Sequence, residues 1–371
     1  DLKEKLTGEA RYTSDISLPD MLHGKIIRSP HPHASILSVD TSRAKSRLLR
    51  GAVLTPFNVG KGHVAPDIPI LDTKVRFVGD EVVAIAATNE FEAVQALSLV
   101  DIKYDILPFS LDTYDAMSDN SEPIHPGGNL INGAPIIEQR GNISGGFGQA
   151  DVILERSFST PGHASASLEP RSVLASWEGN HLTVWKSSRG VHVDRANIAA
   201  SLNLSLEDIT VIGPYMGGGF GGKDETRTAS ISALLAKRTG KPVKIELSRE
   251  EEFLAGRRRH ATKTTARIGV TREGVITAIE ATTVMDTGAY LSSGPGVIRR
   301  AGQGFLYLYR CPNVRYKGYL VYTNTPSAGS YRALGAPQGH FALESIVDEV
   351  AEKIGMDPLD FRMRNHVPIE G

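Results

Sequence analysis

Residues 208–238 read DITVIGPYMGGGFGGKDETRTASISALLAKR. The β-branched start predicts a strand over 208–215, and the alanine-rich end predicts a helix over 226–238. Between them, 217–222 contains five glycines and Phe220. Three readings of that loop compete. As a phosphate loop, Gly217-x-x-x-x-Gly222-Lys223 has the right spacing, but Asp224 stands where the magnesium-binding Ser or Thr belongs, and its carboxylate repels phosphate. As a dinucleotide fingerprint, Gly217-x-Gly219-x-x-Gly222 also fits, yet five glycines in six positions satisfy almost any glycine pattern, and no clean βαβ unit surrounds them. A tight turn needs only one or two glycines. Five suggest that something approaches the backbone along the whole loop and accepts hydrogen bonds from its amides. The chemistry is that of a backbone cradle for an oxygen-rich ligand.

Working outward, a chain of 371 residues implies two or three domains. Forty-one Lys and Arg against 42 Asp and Glu leave a net charge of -1, without the broad positive field that nucleic acid or an anionic membrane surface requires. The one cysteine, Cys311, excludes an internal disulfide framework, a cysteine-only zinc site and an iron–sulfur cluster held by this chain; its apolar context reads as core or loop. No apolar run reaches membrane-spanning length, and the opening DLKEKLTGEARY lacks the apolar stretch of a secretory signal, so the expected location is cytoplasmic. His31 and His33, in SPHPHA, are held extended by alternating prolines and are poorly placed to chelate; no metal-ligating cluster is expected.

The hydrophobic pattern predicts a mixed α+β chain. Residues 1–110 read as one α/β domain, with strands at 21–28, 34–39, 81–88 and 101–107 and a helix from an Asn89 cap to Leu99. Residues 111–150, rich in proline and glycine, read as a connecting segment draped over a surface. Residues 151–371 form a strand-rich domain: strands at 151–158, 172–178, 181–186, 261–270 and 274–284, a helix at 191–202, and a last helix capped by Asp357 with Pro358 behind it. The acidic run 250–252 suits the first turn of a short helix. The basic run RRRH at 257–260 reads as a solvated face, or alternatively as a contact for a pyrophosphate.

GGGFGGK resembles the cofactor loop of the molybdenum hydroxylases, the xanthine dehydrogenase and aldehyde oxidase family. TGEARYTSDISLPDMLHGKIIRSPHPHA and GDEVVAIAA resemble its α/β hammerhead domain. SLEPR, SREEEF, RRRH, DTGAY, SYRALGAPQ and GMDPLDFRMRN resemble further family segments in family order, over nearly the whole chain. The resemblance implies a hammerhead domain followed by the first part of a molybdopterin-binding domain. It implies a molybdenum–molybdopterin cofactor, expected in its cytosine dinucleotide form. The implied reaction oxidises an aldehyde, an N-heteroaromatic ring or a related electron-poor carbon with oxygen from water. Electrons would leave through [2Fe-2S] and FAD centres on partner subunits.

By the same resemblance Gly218, Gly219, Phe220 and Gly221 are expected to approach the cofactor, with Tyr331 and Arg332 in a second segment. Arg332 is the expected catalytic group, its permanent charge suited to an anionic centre. Arg189 stands where the family commonly has a glutamine, and would either add charge at the cofactor or lie exposed. Asp224 and Leu334 are expected in the substrate pocket; Leu334 replaces the family's usual aromatic and Ala333 its preceding glycine, which weakens a purine-sandwich reading. The family's general-base glutamate lies in a second half of similar length, so a second polypeptide or further sequence is expected to complete the site. The alternatives are a phosphate-loop or Rossmann-like nucleotide-binding domain and a non-catalytic paralogous subunit.

Overall fold

The computed structural model describes residues 2–367. It divides into two compact units. One holds the chain up to Phe109 together with Ala164–Arg257 and Asn324–Ser327; the other holds Ser110–His163, Arg258–Thr323 and the chain from Ala328 onward.

The first unit is built on a seven-stranded mixed sheet in the order Ile209–Ile212, His181–Lys186, Ser172–Glu178, Val243–Glu246, Leu22–Arg28, Glu81–Ala87, Ala52–Leu54. Strand Leu22–Arg28 runs parallel to Val243–Glu246, with Leu22 opposite Val243 and Gly24 opposite Ile245. Gly24 is required there: a β-carbon would sit 2.5 Å from the Ile245 side chain. Glu81–Ala87 is buried along its whole length, as a continuous apolar run predicts for a strand covered on both faces. Ala84 and Ala86 pack in one core with Ala229, Ala233 and Ala236 of helix Arg227–Thr239. Val83 and Ile85 pack in another with Ile36, Ala44 and Ala96. The helix at Glu90–Leu97 starts where its cap was expected, the Asn89 side chain accepting from the Glu92 amide.

The second unit is built on a five-stranded sheet in the order Val152–Thr160, Thr262–Val270, Ile276–Gly288, Val314–Tyr322, Ile136–Arg140. Ile276–Gly288 and Val314–Tyr322 are parallel and joined through helix Gly294–Tyr307. Phe305 and Leu306 of that helix and Leu343, Ile346 and Val347 of helix Ala336–Lys353 form one core with the sheet residues Ile268, Ile279 and Tyr316. The closing helix, Pro358–Asn365, has Asp357 accepting from the amides of Leu359 and Asp360, as its sequence predicts. Cys311 is buried in the same core, and burial raises its thiol pKa, which suits an inert core residue.

Two sequence expectations change. The stretch 111–150 carries strand Ile136–Arg140, paired antiparallel with Val314–Tyr322, and helices Thr113–Ala116 and Ile143–Gly148. Its prolines and glycines conceal an edge strand only five residues long. The RRRH run is not a solvated face: all three arginines are partly buried and His260 is fully buried.

Beneath the glycine loop's helix lies a buried ion cluster. Arg227 binds Asp80 at 2.7 Å and Glu81 at 2.6 Å, and donates to the Ile70 carbonyl at 3.0 Å; Arg28 holds the other Glu81 oxygen at 3.0 Å. Burial alone would raise the Glu81 pKa, but the charges of Arg227 and Arg28 outweigh it and hold the carboxyl below its ordinary value. The folded carboxyl therefore titrates below the unfolded one. Its contribution is fully present above the unfolded value, about 4.3, and is lost as pH falls through the folded value. Arg227→Met, which removes the cation that Asp80 and Glu81 share and leaves Glu81 to Arg28, is expected to lower the unfolding free energy by about 3–5 kcal/mol in a urea titration. Glu81→Gln should flatten the fall of stability with pH below about 4.

Candidate cofactor site

In the first unit the sequence leaves strand Ile209–Ile212, crosses the glycines and enters helix Arg227–Thr239. Phe220 lies in the left-handed region with φ of 52°, between Gly218 at 93° and Gly221 at 97°. A non-glycine residue in that region stores of order 1 kcal/mol or more and persists only where its surroundings hold it. Two further glycines have steric reasons: a β-carbon on Gly217 would lie 2.5 Å from the Glu169 β-carbon, and one on Gly222 would lie 2.3 Å from the Ser165 hydroxyl.

Glu169 is the group that closes the loop. Its Oε2 accepts from the Gly217 amide at 2.7 Å and from Lys223 Nζ at 2.6 Å, so one carboxylate oxygen ties both ends together. The Gly217 carbonyl accepts in return from the Glu169 amide at 3.2 Å. Burial draws the Lys223 pKa below the ordinary lysine value, with the Glu169 charge acting against it. Behind the loop, Lys186 Nζ, itself paired with Asp194 at 2.9 Å, donates to the Lys223 carbonyl at 2.8 Å. Arg171 binds Glu252 and Glu225, and Glu225 accepts from the first amide of the helix, that of Arg227, at 2.8 Å.

Held in this way, the loop offers the amides of Gly218, Gly219, Phe220 and Gly221, none of which makes a hydrogen bond among the described residues. Beside them, the buried Ser167 hydroxyl and Glu169 Oε1 also lack a hydrogen-bond partner. Gly219 and Ser167 are buried, and buried donors are almost always satisfied, so these N–H and O–H groups are a site for acceptor atoms of a ligand. Arg189 and Asp224, assigned separately from sequence, bind one another: Nε and Nη2 reach the two carboxylate oxygens at 2.7 Å each. The guanidinium is two-thirds exposed, so this pair orients Asp224 more than it stabilises the fold. The two line a cavity of about 180 Å³ together with Ser188, Val193, Asp194 and Lys223.

In the second unit, Tyr331, Arg332 and Leu334 occupy the turn before helix Ala336–Lys353. Ala333, Leu334 and Gly335 are all left-handed, with φ of 69°, 46° and 91°. Gly335 cannot be replaced without collision, because its β-carbon would lie 2.2 Å from the Val297 carbonyl of helix Gly294–Tyr307. Arg259 fixes this turn: it donates to the Arg332 carbonyl at 2.7 Å and to Gln338 at 3.1 Å, and lies over the Tyr331 ring at 4.2 Å. His163 meets that ring edge-on at 5.3 Å. Arg332 itself is exposed and its side chain has no ion pair among the described residues. A free guanidinium at the N-terminus of an 18-residue helix suits an anion. His33 is buried against the Pro108 carbonyl, and no group of three potential metal ligands occurs among the described residues.

The family of molybdopterin cofactor-binding domains matches residues 124–366, and the a/b hammerhead domain of aldehyde oxidase and xanthine dehydrogenase matches residues 7–108. The chain belongs to this family. The molybdopterin-binding chain is 35% identical to a Bacillus subtilis protein described as a probable xanthine dehydrogenase subunit, over 98% of its own length and 50% of that protein's. It is equally identical to the nicotinate dehydrogenase large molybdopterin subunit of Eubacterium barkeri, over 98% of its own length and 87% of that protein's. Quinoline 2-oxidoreductase from Pseudomonas putida 86 superposes with a TM-score of 0.92 at 26% identity, over 99% of this chain and 49% of that one. The molybdopterin-binding chain thus spans about half the length of two of these relatives and most of the third.

Its residues fit the group that the family holds. In the first unit the unpaired amides and the Ser167 hydroxyl supply hydrogens suited to phosphate and oxo oxygens; in the second, the exposed Arg332 supplies a cation suited to an anionic group. Glu169 and Arg259 were not expected as positioning groups, although SLEPR and RRRH were both legible as motifs. Glu169→Gln is expected to lower stability by about 1.5–3 kcal/mol, the worth of hydrogen bonds to a charged acceptor. Arg259→Ala, which removes a cation–π contact and two hydrogen bonds, should cost about 1–3 kcal/mol. Unchanged urea midpoints would remove both assignments.

Proposed function

We propose that this chain is the molybdopterin-binding part of a multisubunit oxidoreductase that oxidises an electron-poor carbon, in an aldehyde or an N-heteroaromatic ring, with oxygen derived from water. The observation that carries this reading is the row of four unpaired amides around left-handed Phe220. When bound, the molybdenum–pterin group would supply the two-electron chemistry. The chain's own residues bind and orient. The amides of Gly218, Gly219, Phe220 and Gly221 donate to the group's oxygens, and because the clamp fixes them beforehand they lose little freedom on binding. Arg332 presents its charge from a turn whose backbone is held by Arg259, and Tyr331 contributes to the same cofactor-binding segment. Arg189 acts through Asp224, keeping that carboxylate turned toward the small cavity they share. Leu334 offers an aliphatic contact to substrate, which favours small or non-aromatic molecules over a stacked purine.

The cytosine dinucleotide form of the cofactor, [2Fe-2S] and FAD centres on partner subunits, and a cytoplasmic location belong to this proposal. So does a general base supplied by sequence outside this chain, a reading supported by the 50% coverage of the Bacillus subtilis relative. So too does the division into a hammerhead segment over 1–110, a connecting segment over 111–150 and a cofactor-binding segment over 151–371. The family match at 7–108 supports the first segment, while the match at 124–366 and the pairing of Ile136–Arg140 with Val314–Tyr322 favour extending the cofactor-binding segment back into 111–150.

Gly221→Val places a β-branched residue at a φ of 97° and is expected to abolish both bound molybdenum and turnover in the assembled enzyme. Arg332→Ala should abolish dye reduction while the protein remains folded by circular dichroism. Metal analysis, pterin fluorescence and dye-reduction assays read these outcomes. Wild-type metal content and turnover in both variants would overturn the site.

A further inference from the structure

The second unit contains a groove of about 990 Å³ that none of the cofactor-loop residues lines. One wall is the end of helix Gly294–Tyr307 and the segment following it, where Tyr309 bridges to His366. The groove is mainly apolar, and its charged lining is of one sign. Arg140, Arg310 and Arg364 all face it, and among the described residues no aspartate or glutamate lines it. None of the three arginines forms an ion pair among the described residues, in a chain whose acidic and basic residues are nearly equal in number. Arg140 spends two donors on the carbonyls of Cys311 and Leu306, which holds its guanidinium in place. Arg310 and Arg364 are exposed. At the rim, Tyr307, Val275 and Val367 are 63%, 46% and 48% exposed.

A contiguous apolar groove rimmed by arginine and tyrosine has the composition of a protein interface core, because those residues supply contact area together with directional hydrogen bonds. Three guanidiniums without a carboxylate among the described residues, two of them exposed, select an acidic partner. The relatives supply a reason for polypeptide as the occupant: the Bacillus subtilis protein and the quinoline enzyme chain are each about twice the length matched here. We infer that this groove is a docking surface for an apolar polypeptide segment carrying at least two carboxylates, contributed by the remainder of the cofactor-binding assembly. This rests on the proposed function only for the existence of that remainder.

The test is arginine footprinting of the purified native enzyme with phenylglyoxal, compared with the same enzyme unfolded in urea and read by peptide mass spectrometry. Arg310 and Arg364 are expected to lose their reactivity in the native enzyme. Reaction as complete as in urea would overturn the inference. Protection that disappears after desalting into phosphate- and sulfate-free buffer would identify a small anion instead, and would overturn it equally. The double variant Arg310→Glu/Arg364→Glu should fold by circular dichroism yet lose assembled enzyme in native mass spectrometry; wild-type assembly counts against the docking surface. Molybdenum content of the same preparation separates the two claims. Protected arginines in a metal-free enzyme leave this inference standing and sink the proposed function, and reactive arginines in a metal-loaded enzyme do the reverse.

Discussion

A loop made of glycine cannot hold its own shape, and here the Glu169 carboxylate does so. By accepting from Gly217 and Lys223 through a single oxygen, it closes a seven-residue ring of backbone. Everything proposed for the cofactor depends on that closure, because amides that turn freely lose conformational entropy on binding and stabilise little. The closure in turn needs a buried lysine to stay charged against the pull of desolvation. That explains the depth of charge behind the loop, where Lys186, Asp194, Arg171, Glu225 and Glu252 each satisfy a neighbour.

The second turn is held by different means. It has fewer glycines, and Ala333 and Leu334 stand in the left-handed region where glycine would sit without strain. Their conformation is imposed from below: Gly335 and Gly339 bring helix Ala336–Lys353 so close to helix Gly294–Tyr307 that a β-carbon at either would strike a carbonyl oxygen. Backbone strain of this kind, held by packing and topped by an exposed arginine, is the pattern of a site kept ready for a ligand.

Much of this was legible in the sequence, because the signals were local. The Asn89 and Asp357 caps, the helix at 191–202 and the strands at 172–178 and 181–186 follow from residues within a few positions of one another, and the structure shows them. The glycine loop was legible as a backbone feature, though Gly217 and Gly222 turn out to be required by Glu169 and Ser165 as well as by any ligand. The illegible parts were long-range. Nothing near Ile136–Arg140 announces a pairing with the distant Val314–Tyr322. Arg259 looks like one member of a solvated run until the turn at 330–338 is folded against it.

The seven-stranded sheet has a consequence for biosynthesis. Strand Leu22–Arg28 has Glu81–Ala87 on one side, but its other neighbour, Val243–Glu246, leaves the ribosome long afterwards. During that interval a nascent chain carries an open hydrogen-bonding edge with apolar flanks, the kind of edge that recruits stray strands. Production of this protein should therefore depend on holdase chaperones during translation more strongly than its ordinary composition suggests, and slowed elongation before residue 243 should favour aggregation.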